Sequence, residues 1–328
     1  MKAHSALRAW IPAACVGTAL LATAMSAAAQ AWPAKPVKMI VTYPPGGTVD
    51  VVARVIAPKL SARLGQPVVI DNRAGAGGAI GGDLVAKSPA DGYTIMLDAS
   101  NHSQNPALRS KMPFDTLRDL APVSLLVRVP NVLVVNPSAT ITGVKDLIAQ
   151  AKAKPEHINY ASSGNGSAQH LSAELFSAMA GVRMTHVAYK GGGPALTDVM
   201  AGQVPVFFAS LASSLQYIQG GKLRALAVTG KARSPVMPQI PTVAESGLAG
   251  YEVYEWNGVF VPAGTPAAVV DRLSKELAAV VRDPEVRARL EGMGAEVIGS
   301  NPAELDAFRR AEIAKWTHVA KTNKIELD

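Results

Sequence analysis

The chain has 328 residues, 32 Lys and Arg against 25 Asp and Glu, a net charge of +7 and one cysteine. Its basic residues are scattered and aromatics make up only 5%, which excludes the basic, aromatic-interleaved surface that binds nucleic acid. One cysteine cannot form an intrachain disulfide, and a chain this long buries enough apolar surface to fold without one.

In chain order, the first segment reads as an export signal. Lys2 and Arg8 precede a short apolar run at 11–25, and Ala27-Ala28-Ala29 follows. A positive start, a short apolar stretch and a small-residue cleavage site are the three parts of a secretory signal peptide. The run is too short to span a bilayer and Pro12 interrupts it. Cleavage is expected after Ala29, or after Ala31 as the second acceptable site, and the lone Cys15 leaves with the signal. Loss of Lys2 and Arg8 takes the charge from +7 to +5, a modest field that suits an anionic ligand.

Short apolar runs then alternate with amphipathic stretches. Strands are predicted at 37–43, 67–71 and 93–98, rich in Val and Ile. Between the first two, Val51, Val52, Val55, Ile56, Leu60 and Leu64 recur at helical spacing, with a kink or helix edge expected at Pro58. Strands at 131–136, 158–161, 183–188, 204–208 and 225–228 alternate with helices at 144–154 and 167–180. A strand at 256–261 precedes a helix at 266–282, with Thr265 as its expected N-cap and Pro266 at its first position. A last helix covers 304–322. This rhythm predicts an α/β protein with parallel strands and right-handed crossovers.

Three glycine-bearing loops join strand ends to helix starts. In the first, Tyr43-Pro44-Pro45-Gly46-Gly47-Thr48-Val49-Asp50, the glycines leave backbone N–H groups open at a helix N-terminus, which binds anions without a basic side chain. Thr48 can donate a hydroxyl, and Asp50 can cap the helix or accept from a ligand amine. The second, 72–82, lacks the third glycine of a dinucleotide fingerprint because Ile80 stands there, and no P-loop exists elsewhere. The third, 160–170, repeats the chemistry of the first with Ser163, Gly164, Gly166 and Ser167, and His170 follows it. Ligands of open α/β sheets sit beyond the carboxyl ends of strands, so the first and third loops are expected to face each other across a cleft. Catalytic readings are weaker. Ser167 is outside a nucleophile elbow because Asn165 replaces the first glycine, although Ser163 or Ser167 with His170 leaves a serine hydrolase open. The six histidines have no metal-ligand spacing. No metal or cofactor is expected.

The run Ile40-Val41-Thr42-Tyr43-Pro44-Pro45-Gly46-Gly47-Thr48-Val49-Asp50 resembles the opening motif of the tripartite tricarboxylate transporter substrate-binding proteins, the Bug receptors. So do Asn72-Arg73 with Gly75-Ala76-Gly77-Gly78, Pro89-Ala90-Asp91-Gly92-Tyr93, Tyr160-Ala161-Ser162-Ser163-Gly164, Pro241-Thr242-Val243-Ala244-Glu245 and Pro262-Ala263-Gly264-Thr265-Pro266. The matches run in order through nearly the whole chain beyond the signal. The resemblance implies a two-lobed periplasmic binding protein-like fold, each lobe a mostly parallel sheet flanked by helices, with the ligand cleft between lobes. It divides the chain into a signal at 1–29, a discontinuous first lobe at 30–127 plus 253–328, and a second lobe at 128–252. It also implies a non-enzymatic, monomeric periplasmic receptor that delivers a small organic acid to a two-component membrane permease; a sensor of the same fold, acting on a signalling partner, is the alternative. Gly46, Gly47 and Thr48 with Ser163 and its neighbours, Gly166 among them, are the residues the resemblance expects at one carboxylate, and Asp50 and His170 join the expected ligand-binding residues from their positions beside the two loops. Ser100, Asn101 and Ser210 are expected at the far end. The chain departs from the family pattern at Ala209, where relatives often carry a polar or acidic residue, and the lost acid is expected to disfavour an amino-acid ligand.

Overall fold

A computed structural model describes residues 32–323 and 325; the signal segment and its cleavage sites lie outside them. The apolar run expected as the first strand is β1 (Val37–Val41), buried at every position but Lys38, as for a strand covered on both faces. It feeds α1 (Thr48–Leu64) and then β2 (Val68–Asn72), which lies parallel beside β1. Pro58 stands inside α1 without ending it. Val52, Ala53, Ile56 and Leu60 are buried on the inner face of that helix, and this packing outweighs the backbone bond that Pro58 cannot make.

After α2 (Ala79–Ala86) comes β3 (Thr94–Ala99), parallel to β1 on its other side. Helix α3 (Asn101–Leu108) was not legible in the sequence because its first five residues are polar, yet all five are buried. The long strand β4 (Leu120–Val135) is followed by α4 (Val144–Ala153), β5 (Asn159–Ser162), α5 (Ala168–Ala180), β6 (Thr185–Ala188), α6 (Gly192–Met200), β7 (Val206–Ser210), α7 (Leu211–Gln219) and β8 (Arg224–Val228). The chain ends with β9 (Tyr254–Pro262), α8 (Ala267–Arg282), α9 (Pro284–Gly292), the short β10 (Glu296–Val297) and α10 (Pro302–Asn323).

The sheet runs β2-β1-β3-β9-β4-β7-β5-β6, with β8 and β10 also paired to β4. Its two ends are parallel, as expected, but its middle is not: β9 is antiparallel to both β3 and β4, and β4 is antiparallel to β7 and β8. Strand β4 is shared. Residues 120–130 pair with β9, and 131–135 pair with β7 and β8. Only the second half of β4 is legible in the sequence, because Pro122 and Pro130 break the strand signal; the ladder with β9 accommodates Pro122 by a register shift there.

A buried polar knot stands where β4 changes partners. The Asn131 N–H donates to Thr229 Oγ1 (2.7 Å), and that hydroxyl donates to the Val253 carbonyl (2.7 Å). Thr265 is not the N-cap of α8: its hydroxyl donates to the Pro262 carbonyl at 2.7 Å and Pro266 takes the capping position. Asn301 and Glu304 instead form a reciprocal capping box at the start of α10, each accepting from the other's backbone N–H at 2.9 Å.

Candidate functional site

Five helices start around one narrow cavity. Gly47, Thr48 and Val49 come from the start of α1, Ser100 from α3, Ala168 and Gln169 from α5, Gly192 from α6, and Ser210 and Ser213 from α7. Tyr43, Ala99, Ser163 and Glu255 complete the lining. Each start follows a strand or its short loop, the position where α/β sheets bind ligands. Of the five N-cap residues, Gly47, Ser100, Ser167, Gly191 and Ser210, only Ser167 satisfies its own helix, accepting from the His170 N–H at 3.2 Å. Unsatisfied first-turn N–H groups and aligned helix dipoles give the cavity a positive potential. No Lys, Arg or His lines it, so any anion bound there is held by main chain, hydroxyls and amides.

The expected site residues divide into two groups. Gly47, Thr48, Ser100, Ser163 and Ser210 line the cavity. The hydroxyls of Ser100 and Ser210 are buried and have no hydrogen-bond partner, which an apolar packing role does not explain. The others build its walls. Gly46 spends its N–H on Asp50 Oδ2 (3.1 Å). Asp50 is buried and also accepts from Arg54 (2.9 and 3.0 Å) and from Asn72 Nδ2 (3.0 Å). Burial works against its charge, but the hydrogen bonds from Arg54, Gly46 and Asn72 outweigh it and hold the carboxyl below its ordinary range. Asp50 therefore fixes the first loop. Asn101 donates through Nδ2 to the Gly77 carbonyl, joined there by Asn105 (2.9 Å), and so ties α3 to the second glycine loop.

His170 and Gly166 are likewise engaged with each other, as Gly166 N–H donates to His170 Nδ1 at 3.2 Å. The His170 ring stacks on His186 with centroids 4.0 Å apart. Burial, then the neighbouring His186, pushes His170 down to about 3, and burial pushes His186 down to about 4. His186 Nε2 pairs with Ser162 Oγ at 2.6 Å, and that hydroxyl is fully buried. Ser167 is occupied as an N-cap. Ser167 and His170, two of the residues named for a serine hydrolase, are thus engaged in shaping the third loop, while Ser163 lines the cavity.

Sequence reasoning missed Glu255, Gln169, Tyr43 and Gly192. Glu255 was signalled by an acid in an otherwise apolar strand, but the expected strand began one residue later. Ala209, expected to bear on ligand choice, is instead buried within the hydrophobic core, while the next residue along β7, Ser210, lines the cavity. An acid is present after all, at Glu255.

Outside this cavity lies a second, wider cleft that shares Tyr43 and Ser163 with it and is walled by Pro44, 74–78, Arg109, Asn165 and 188–190. Two glycines let its sides meet. A Cβ on Gly191 (φ +123°) would lie 2.5 Å from Pro44 Cγ, and one on Gly77 (φ +60°) would lie 3.0 Å from the Asn165 carbonyl.

Residues 52–325 match the family described as "Tripartite tricarboxylate transporter family receptor". BugT of Bordetella pertussis is 38% identical over 314 residues, covering 95% of this chain and 96% of that protein. A Rhodopseudomonas palustris protein solved with adipate superposes with a TM-score of 0.87 at 41% identity, covering 90% of this chain and 99% of that one. MatC from Rhodopseudomonas palustris, solved with bound malate, gives 0.84 at 31% identity over 88% of this chain and 99% of that one.

Proposed function

Since this chain belongs to the tripartite tricarboxylate transporter receptor family, we propose that it captures one small organic acid in the cavity among the helix starts and delivers it to a two-component membrane permease. The observation that carries this reading is the convergence of five helix N-termini, four of them without a side-chain cap, on a cavity with no basic side chain. Such a site suits a carboxylate, which accepts several N–H and O–H bonds at once. The relatives solved with adipate and with malate favour the same ligand class.

In this reading, Gly47, Thr48, Ser163 and Gly192 hold the first carboxylate, and Ser100 and Ser210 read the far end. The receptor works as a monomer in the periplasm, exported by the segment at 1–29. Its lobes are 30–127 plus 253–328 and 128–252, linked through β4 and β9. Contacts such as Gly191 against Pro44 join the two lobes when the solute is enclosed. The receptor catalyses no reaction on its solute.

A thermal-shift screen of the purified protein, stripped of any carried-over solute, tests this reading against carboxylates and their amides and esters. A ligand at a hundred times its dissociation constant stabilises the fold by about 2.7 kcal/mol. The expected outcome is a raised melting temperature with at least one acid and none with its neutral analogue. Equal shifts from acid and amide, or none from any acid, overturn the reading.

A further inference from the structure

Glu255 is 5% exposed and lines the cavity near the start of β9. Its Oε2 accepts from Gln169 Nε2 at 2.8 Å, and the same amide nitrogen approaches Asn131 Oδ1 at 3.3 Å. No cation lines the cavity to pair with this acid. The side chains of Ser210, Thr48 and Asn257 lie beside the carboxyl, and Ser210 Oγ has no hydrogen-bond partner within bonding geometry. An ionised carboxylate only accepts, whereas a carboxylic acid has one O–H to give.

A solute carboxylate entering the same cavity meets an identical constraint. Two ionised carboxylates confined together repel, and one shared proton turns that repulsion into a hydrogen bond. A solute ammonium could instead pair with an ionised Glu255, but the surrounding helix N-termini disfavour a cation. Resting on the reading that the solute is a carboxylate, we propose that Glu255 is a specificity-determining residue that donates an O–H hydrogen bond to the captured acid. At alkaline pH Glu255 loses that proton in the free receptor, so it is taken up again from solvent, up to one per solute bound.

Burial pushes the Glu255 carboxyl upward, against the pull of the Gln169 hydrogen bond and of the nearby Ser210, Thr48 and Asn257 side chains. These groups reach it from α5, α7, α1 and its own strand, and β4 faces it with Asn131. Among titratable groups, Tyr43 on the first loop feels its charge and titrates well above the ordinary tyrosine range, chiefly through burial. Asp50 is paired with Arg54. His170 and His186 titrate at about 3 and about 4. None of these changes state between about pH 6.5 and 9, where aliphatic dicarboxylates are already ionised.

Calorimetric titration with adipate over that range, in two buffers of different ionisation heat, tests the proposal. For the unaltered receptor the dissociation constant should rise with pH, approaching about tenfold per unit at the alkaline end, with uptake of up to one proton. Glu255→Gln keeps an N–H donor at every pH, so it should bind adipate with no pH slope and more tightly than the unaltered receptor at pH 9. Glu255→Met, which keeps the bulk but has no donor, should bind at least about tenfold more weakly at pH 6.5. A flat profile in the unaltered receptor, an unchanged slope in Glu255→Gln, or unimpaired binding by Glu255→Met overturns the proposal. If adipate binds without a slope, only the role of Glu255 fails; if no carboxylate binds at any pH, the functional reading beneath it fails.

Discussion

The stacked pair His170 and His186 illustrates how single residues here serve the site indirectly. Both are neutral in the folded state, held at about 3 and about 4, against an ordinary histidine value of about 6.5. The unfolded chain therefore binds more protons than the folded one below pH 6.5, and stability falls as the pH drops from there towards 4. Carboxylates held low, such as Asp50, add their own loss only below the ordinary carboxylate range. The melting temperature should thus decline through the pH 6.5 to 4 window, and His186→Gln should flatten that decline while retaining a partner for Ser162. An equally steep decline in the variant would show that other groups govern it. The pair was visible in the sequence only as two separate histidines, one in a loop and one in a strand, because nothing in their spacing tells of a ring-on-ring contact.

At the scale of elements, strand–loop–helix starts were legible because glycine, proline and capping residues act locally. The loops at 43–50 and 160–170 and the strands that precede them could therefore be read in order. Helix α3 was not legible, since five polar residues that end up buried look like a surface loop. Neither was the first half of β4, where Pro122 is tolerated by a register shift against β9. Glu255 lay hidden for the same reason: pairing across strands brings Val129 beside it and α5 over it, and neither neighbour is near in sequence. The junction in β4 depends on one hydroxyl. Thr229→Val keeps the shape but leaves the Asn131 N–H without the acceptor it has at 2.7 Å. A loss of about 1–3 kcal/mol is expected in chemical denaturation, and a change below about 0.5 kcal/mol would show that another acceptor takes over.

For the whole molecule, the contact of Gly191 with Pro44 couples solute affinity to how closely the two sides of the outer cleft can approach. Gly191→Ala places a methyl group where Pro44 Cγ now lies 2.5 Å away and asks alanine to hold a φ of +123°. The first loop and the loop that precedes α6 must then separate. Affinity for the solute should fall about tenfold, the equivalent of about 1.4 kcal/mol, measured by calorimetry. Small-angle scattering should report a larger radius of gyration in the variant at saturating solute. Unchanged affinity would mean that the two loops reach the same separation by another path.

The main-chain character of the cavity also bears on inheritance. A backbone N–H is encoded by nearly every codon, so the helix starts that surround the solute cannot be erased by most single-base changes. Side chains that differ in what they offer, Glu255, Gln169, Ser100 and Ser210, form a short list of positions. A gene duplicate can therefore drift towards a new acid through a few substitutions while its capacity to hold an anion stays intact, and a library randomised at those four codons samples new solute preferences without first having to rebuild the cradle.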